Sequence, residues 1–152
     1  MVESQEPQNR APQSRARARS VLQSLDLMSR LLTASCYSHG LNPAQWSALR
    51  YFSEAETKDR TPSAFARAHR ATKGTISQTL MALTRKGLIE KITDAKDGRS
   101  ITVKLTATGA ALLAQDPWRA FEDVLMKGPD DSVRQVARIA DLLAQAITKN
   151  GA

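Results

Sequence analysis

The chain has 152 residues, of which 41% are hydrophobic and 24% are charged, and its formal net charge is +7. This length and composition predict one soluble globular domain, or two small lobes that share a core, and they exclude a membrane-spanning segment and a secretory signal. The single cysteine excludes an internal disulfide and a cysteine-based zinc site, and it favours a reducing cytoplasm.

The positive charge is concentrated in about a third of the chain. Residues 58–104 contain eleven basic and four acidic side chains, whereas the remainder contains eleven of each and is neutral. Such a concentration is expected of a nucleic-acid-binding surface. A solvated basic face without a partner explains the charge alone equally well.

The N-terminal part of the chain predicts an arm and two helices. Residues 1–14 are rich in Gln, Pro, Ser and Arg, which predicts a disordered arm. Over residues 15–37, apolar side chains recur at helical spacing, and Gly40 ends this first helix. Asn42 then offers an N-cap and Pro43 the first position of a second helix.

The next segment predicts a helix-turn-helix. A short third helix begins at Pro62 and runs to about His69. Thr72 is a good N-cap for a fourth helix that runs to about Lys86, and Gly87 ends that helix in the left-handed conformation. Two helices with a short turn between them are the framework of many DNA-binding domains.

A hairpin follows the fourth helix. Residues 88–93 and 100–105 predict two strands, because apolar and polar side chains alternate along the second of them. The connecting turn, residues 94–99, contains an Asp-Gly pair that is typical of hairpins.

The C-terminal part predicts three helical segments. Thr106 caps a fifth helix to about Gln115, and a proline restarts the helix near Trp118. The last helix runs from Asp130 or the following aspartate to about Lys149, with apolar side chains along one face. A monomer would leave this face exposed, so the sequence predicts that a homodimer buries it.

The start of the fourth helix carries the features that reading DNA requires. Short polar side chains let a helix approach base edges in the major groove, and its free N–H groups favour phosphate. A hairpin tip with basic side chains fits a minor groove. We therefore predict these double-stranded-DNA-binding residues: Arg70, Thr72, Lys73, Gly74, Thr75, Ser77, Gln78, Arg85, Lys96 and Arg99. Alternatives remain open for Arg85, as a charge that complements the helix end, and for the hairpin, as a solvated tip.

Two segments resemble the MarR family of bacterial transcriptional regulators: LNPAQWSALRYF and RTPSAFARAHRATKGTISQTLMALTRKGLIEKITDAKDGRSITVKLTATGAALL. The resemblance covers about residues 20–115, and its most specific part is TISQTLMALTRKGLI followed by the pattern D-x-x-D-x-R-S…L-T-x-x-G. It implies a recognition helix over Thr72–Lys86, a wing arginine at Arg99, and a homodimer in which the first and last helices intertwine. It also implies a pocket between the dimer lobe and the DNA lobe, where many members bind small phenolic or lipophilic effectors.

The chain departs from the family pattern at four positions. His69 stands where a core leucine is common, and Arg70 where helix-turn-helix proteins often place glycine. Lys96 replaces a frequent arginine and Thr84 a frequent glutamate. These departures leave the base preference open and predict unusual packing at His69.

Several residues have both a functional and a structural interpretation. Cys36 suggests oxidant sensing, but a helix C-terminus disfavours a thiolate and no second cysteine is present, which favours a buried thiol. Cys36 and His39 supply only two ligands, so no metal site is predicted. Trp46, Tyr51 and Phe52 are candidates for an effector pocket, although aromatic residues at helical spacing more often belong to the core.

The sequence predicts a mainly α-helical fold with a small β-hairpin wing. Its parts are a disordered arm (1–14), a helical dimerisation lobe (15–40 and 107–150) and a winged helix-turn-helix DNA-binding lobe (41–106). The predicted function is a cytoplasmic, homodimeric, sequence-specific regulator, a repressor that a small effector releases and that needs no cofactor. With two histidines, one cysteine and no Gly-rich loop, no enzyme is predicted. Two alternatives stay open: a winged-helix protein-interaction module without DNA binding, and redox sensing through Cys36.

Overall fold

The fold is given by a computed structural model, which describes residues 10–93 and 101–150. The helices and strands are α1 (Arg10–Ser35), α2 (Pro43–Glu54), a short 3-10 helix (Thr57–Asp59), α3 (Pro62–Ala68), α4 (Lys73–Arg85), β1 (Ile89–Thr93), β2 (Ile101–Leu105), α5 (Ala107–Leu113), α6 (Arg119–Lys127) and α7 (Asp130–Asn150). The predicted fold class is confirmed, since the described chain is mainly helical with one two-stranded sheet.

The first helix is longer than the sequence predicted. It begins at Arg10 rather than at Arg15, so residues 10–14, which were expected in a disordered arm, are helical. Pro12 is tolerated because it lies in the first turn, and the alternating arginines and alanines that follow are strong helix formers. Residues 1–9 lie outside the described residues.

Side-chain caps start four of the helices. The Asn42 carboxamide accepts a hydrogen bond from the Gln45 N–H at 3.0 Å, and the Gln45 side chain accepts one from the Asn42 N–H at 3.2 Å. This reciprocal pair is a capping box, with Pro43 as the first helical residue. Thr61, Thr72 and Thr106 cap α3, α4 and α5 without the reciprocal bond, each hydroxyl accepting from the N–H three residues later. The helix starts predicted from these residues are confirmed.

Two left-handed residues shape the ends of α3 and α4. Gly87 has φ 68°, as predicted for the residue that ends α4. In the turn between α3 and α4, Arg70 has φ 49°, and the Ala71 N–H donates to the Ala66 carbonyl at 3.0 Å. The turn therefore needs the conformation that glycine adopts most easily, and an arginine adopts it at a cost of about 1–2 kcal/mol.

The hairpin is antiparallel, and Ile89 pairs with Leu105 at one end and Thr93 with Ile101 at the other. The first strand begins one residue later than predicted, and the predicted turn (94–99) and Ser100 lie outside the described residues. The Val103 N–H donates to the Arg60 carbonyl at 2.7 Å. This bond joins β2 to the loop before α3 and so fixes the hairpin against the helix-turn-helix.

One hydrophobic core lies beneath α2, α3, α4 and the hairpin. Trp46, Phe52, Phe65, Leu80 and Val103 are almost fully buried there. In contrast to the predicted division of the chain, α5 belongs to this body, because Leu112 and Leu113 pack against the core. The boundary between the two parts of the chain thus falls after α5 and not at residue 107.

The terminal helices leave apolar side chains exposed. No residue of α6 is buried, and large apolar side chains on α1, α6 and α7 remain accessible. They are Val21, Leu22, Leu27, Met28, Leu31, Val124, Leu125, Met126, Val136, Ile139, Leu142 and Ile147. In the described ranges no helix is long and apolar enough to cross a membrane.

Candidate nucleic-acid interface

The fourth helix has one buried and one exposed face. Ile76, Leu80 and Leu83, at spacings of four and three residues, are buried in the core. This contact fixes α4 along its length, about 20 Å for 13 residues. The opposite face is exposed over the first two turns, where the DNA-reading residues were predicted.

Two of the predicted residues at this end bond to each other. The Thr72 hydroxyl accepts a hydrogen bond from the Thr75 N–H at 3.2 Å and lies 2.9 Å from the Thr75 hydroxyl. Thr72 therefore orders the first turn, and the side chains that project beyond it are those of Lys73, Ser77 and Gln78, all exposed. These three side chains form the α4 reading face.

The first turn of α4 also presents main-chain donors. The N–H groups of Lys73 and Gly74 precede the capped N–H of Thr75 and have no partner within the helix. Gly74 is exposed, and a Cβ there would lie 3.9 Å from its nearest neighbour, the Thr72 hydroxyl. The missing side chain leaves these donors open to an anion, and the positive end of the helix dipole favours phosphate.

Basic side chains flank the helix-turn-helix, but some of them have structural roles. The Lys86 ammonium donates to the Gly40 carbonyl at 2.9 Å, and the Arg60 guanidinium donates to the Ala55 carbonyl at 2.9 Å. Arg67 and Arg85 are exposed. Part of the positive charge in residues 58–104 thus stabilises loops, and part of it faces solvent.

The described strands of the hairpin carry two exposed basic side chains. On the strands, Lys91 and Lys104 are exposed, and Lys104 pairs across the sheet with Glu90. Lys96 and Arg99, the predicted wing contacts, lie outside the described residues. Their role stays a prediction.

The aromatic residues considered for an effector pocket belong to the core. Trp46 and Phe52 are 0% and 1% exposed, and the Tyr51 hydroxyl donates to the Asp59 carbonyl at 3.0 Å. The Tyr51 ring centre also lies 5.7 Å from that of His69, whose ring centre is 4.3 Å from that of Phe65 with the two rings tilted. These contacts favour a packing role for Trp46, Tyr51 and Phe52. His69 takes the place of an apolar residue through its ring contacts, although it is exposed.

A cluster that the sequence did not indicate lies where α1, α2 and the α5–α6 turn meet. The Arg50 guanidinium makes two hydrogen bonds to the Asp116 carboxylate, at 2.6 and 2.7 Å, and Arg50 Nη2 lies 3.5 Å from the Cys36 thiol. The guanidinium carbon is 3.7 Å from the ring centre of Trp118. We call these four residues the junction cluster. Arg50 and Asp116 are 66 residues apart, so no local pattern pairs them.

The charges of the junction cluster support each other. Burial alone would raise the pKa of Asp116, but hydrogen bonds from Arg50 and from the Trp118 N–H, with the Arg50 charge, hold that pKa below its ordinary value. For Arg50, burial disfavours the charge, yet the bonds to Asp116 and Cys36 outweigh it and raise the pKa. Both groups therefore stay ionised, and the pair is nearly buried, with side chains 14% and 9% exposed.

Cys36 occupies a protected position in this cluster. It is only 2% exposed, which favours the interpretation as a buried thiol. His39, its predicted neighbour, instead places its ring edge against Trp46 at 6.0 Å. Across the part of the chain that the structure describes, no group of three or more metal-ligating side chains comes together.

A cavity of about 400 Å³ opens beside the junction cluster, between α1 and α2. Its lining is mostly apolar and includes one cation, and it contains Leu25, Met28, Leu32, Cys36, Arg50 and Trp118. Ser29, Thr33 and Ser47 also line it, so the cavity combines apolar surface with a small number of polar groups, as ligand pockets do.

Comparison with known proteins gives one family match. The MarR family model matches residues 39–100, which extend from the loop before α2 to the residue before β2. No curated protein matches the chain in sequence.

Solved structures share the fold over most of the chain. The transcriptional regulator BldR from Sulfolobus solfataricus has a TM-score of 0.65 at 18% identity, covering 90% of this chain and 99% of BldR. MepR from S. aureus in complex with DNA has a TM-score of 0.64 at 21% identity, covering 81% of this chain and 96% of MepR. MepR bound to ethidium bromide has a TM-score of 0.54 at 22% identity, covering 85% and 95%.

Proposed function

Because the MarR family model matches residues 39–100, we propose that the protein is a sequence-specific transcriptional regulator of that family that binds double-stranded DNA. It acts as a homodimeric repressor on a pseudo-palindromic site. The observation that carries this proposal is the α4 reading face, where Lys73, Ser77 and Gln78 are exposed beside main-chain N–H groups that have no partner within the helix. The DNA complex of MepR, which shares the fold, supports it.

Each part of the interface has a separate task. Gln78 and Ser77 read base edges in the major groove, and Lys73 with the N–H groups of the first turn binds phosphate. Arg70 and Arg85 contact the backbone on either side of the reading face, and Thr72 with Thr75 holds its geometry. Lys96 and Arg99 of the wing, outside the described residues, enter the adjacent minor groove.

A second copy of the chain covers the exposed apolar side chains of α1, α6 and α7. Leu142 and Ile139 on α7 are 58% and 43% exposed, and Leu27 on α1 is 57% exposed. Large apolar side chains exposed in such number on three helices favour burial against a partner. In the dimer, the two α4 helices reach successive major grooves, about 34 Å apart.

The cavity between α1 and α2 is the site of a small lipophilic or phenolic effector. It adjoins both the terminal helices and the winged helix, so a bound molecule contacts both parts of the chain. The ethidium complex of MepR supports small-molecule binding in this fold. The effector releases DNA if it binds best to an arrangement of the winged helix and the terminal helices in which the protein binds DNA poorly.

The experiment that tests the function is selection of bound duplexes from a random pool with the purified full chain, followed by salt titration. We expect enrichment of one pseudo-palindromic sequence and an affinity that falls steeply with salt. Arg99→Ala should weaken binding, most of all on sites with A·T-rich flanks. If no duplex sequence is enriched and the affinity for DNA does not depend on salt, the result would instead support a winged-helix module that binds proteins.

A further inference from the structure

The chain crosses between the winged helix and the terminal helices at two places, and residues of both connections contact the side chain of Arg50. The first connection is the loop after α1, which contains Cys36, and the second is the turn between α5 and α6, which contains Asp116 and Trp118. Arg50, on α2 in the body of the winged helix, contacts Cys36, Asp116 and Trp118.

The contacts of Arg50 leave its guanidinium little freedom. Two parallel hydrogen bonds to the Asp116 carboxylate restrict rotation of the guanidinium within its plane. The Trp118 ring, whose centre is 3.7 Å from the guanidinium carbon, restricts tilting of that plane. The main-chain N–H of Trp118 in turn donates to the same carboxylate at 2.9 Å, immediately before α6 begins. The direction in which α6 leaves the winged helix is thereby tied to α2.

This pair differs from the other ion pairs of the described residues. Arg30 with Asp26, Lys58 with Glu56 and Arg134 with Asp131 are all close in sequence, and their side chains are between 60% and 87% exposed. Such exposed pairs contribute little to stability. Arg50 and Asp116 join distant segments and are nearly buried, so their geometry is maintained by the surrounding packing.

We propose that Arg50 is a positioning residue that sets the orientation of the winged helix relative to the terminal helices, and through it the half-site spacing that the dimer accepts. This inference rests on the proposed function, because spacing has a meaning only for a dimer on a two-fold site. One added base pair moves a half-site by about 3.4 Å and rotates it about the DNA axis. A dimer rejects such a site only if, in each chain, the connection between the winged helix and the terminal helices is stiff.

The test compares binding of the full chain to single half-sites and to two-fold sites whose spacing varies by one and two base pairs. The parent should prefer one spacing by about tenfold over its neighbours. Asp116→Asn and Arg50→Lys should retain half-site affinity within about twofold and lose most of that preference. Arg50→Lys keeps the charge but cannot make two parallel bonds, so it tests the geometry even where Asp116→Asn, which leaves a buried cation unpaired, fails to fold.

Asp26→Asn is the matched control, because it removes the carboxylate of an exposed arginine pair in α1, and it should bind like the parent. Asp116→Glu, which restores the charge, should recover part of the preference. A variant that discriminates spacing as sharply as the parent overturns the inference, and so does an equal loss on half-sites and full sites, which shows a purely structural role. A parent that discriminates no spacing contradicts the proposed dimeric function itself, and the inference falls with it.

Discussion

The main chain of Gly109 in α5 lies against the carbonyl group of Leu88, so that a Cβ at residue 109 would stand 2.0 Å from the Leu88 oxygen. The Thr106 N–H donates to that oxygen at 3.1 Å, and the Thr106 hydroxyl donates to the Gly87 carbonyl at 2.6 Å. The segment that follows α4 and the start of α5 are thus in direct main-chain contact. This contact explains why α5 packs with the winged helix.

Gly109→Ala should destabilise the protein by about 1–3 kcal/mol, because the added methyl group forces two backbone segments apart. Urea unfolding followed by circular dichroism measures the change. Gly74→Ala is the control, since a Cβ there meets its nearest atom at 3.9 Å, and it should be neutral or slightly stabilising. Equal stability of the two variants would show that α5 can move away from Leu88 without cost.

The left-handed backbone of Arg70 predicts an unequal effect of two substitutions that both remove the guanidinium. Arg70→Asn should be more stable than Arg70→Val by about 1 kcal/mol, because asparagine tolerates φ 49° and a β-branched side chain does not. Thermal unfolding of both variants gives the comparison. The prediction is wrong if valine is accommodated as well as asparagine.

Gln78→Ala should reduce affinity for the selected site by about 1–3 kcal/mol and affinity for random DNA much less, because only base contacts carry sequence information. Lys73→Ala should weaken binding to both and lower the salt slope by about 0.9. Fluorescence anisotropy on both duplexes separates these effects. Gln23→Ala, which truncates an exposed glutamine on α1, should change neither.

Ile139→Glu should convert the dimer to a monomer, since a charge would enter an apolar contact without a partner. Sedimentation at micromolar concentration shows the change in mass. Gln145→Glu adds the same charge to the opposite side of α7, where the side chains are polar, and should leave the dimer intact. A parent protein that sediments as a monomer would contradict the proposed assembly.

Acid should weaken the protein through Asp116. Because the pKa of this carboxyl is lower in the folded protein than in the unfolded chain, its contribution to stability is complete above about pH 4 and is lost as the pH falls through the folded-state value. The free energy of unfolding of Asp116→Asn should therefore vary less with pH below 4 than that of the parent. Parallel pH profiles for the two proteins would disprove this assignment.

The local features of this fold follow from its sequence. Caps at Asn42 and Thr72, the stop at Gly87 and the alternating pattern of β2 each depend on neighbouring residues, so short windows predicted them. The early start of α1 was missed because polar composition suggested disorder, whereas the arginines and alanines are good helix formers.

The features that join distant segments could not be predicted in this way. The pairing of Arg50 with Asp116 crosses 66 residues and depends on how three helices pack. The contact between Gly109 and Leu88 is of the same kind. On α4, the pattern placed polar side chains correctly on the exposed face, but the contact between the Thr72 and Thr75 hydroxyls became visible only in the structure.

The protected position of Cys36 supplies the protein with a chemical reporter of its own. It is the only thiol in the chain, and at 2% exposure in the wall of the cavity between α1 and α2 it is accessible to a thiol reagent mainly when that region opens. Its alkylation rate therefore measures how often that region opens, without any engineered label. DNA and effector should change that rate in opposite directions if they select different arrangements of the two parts.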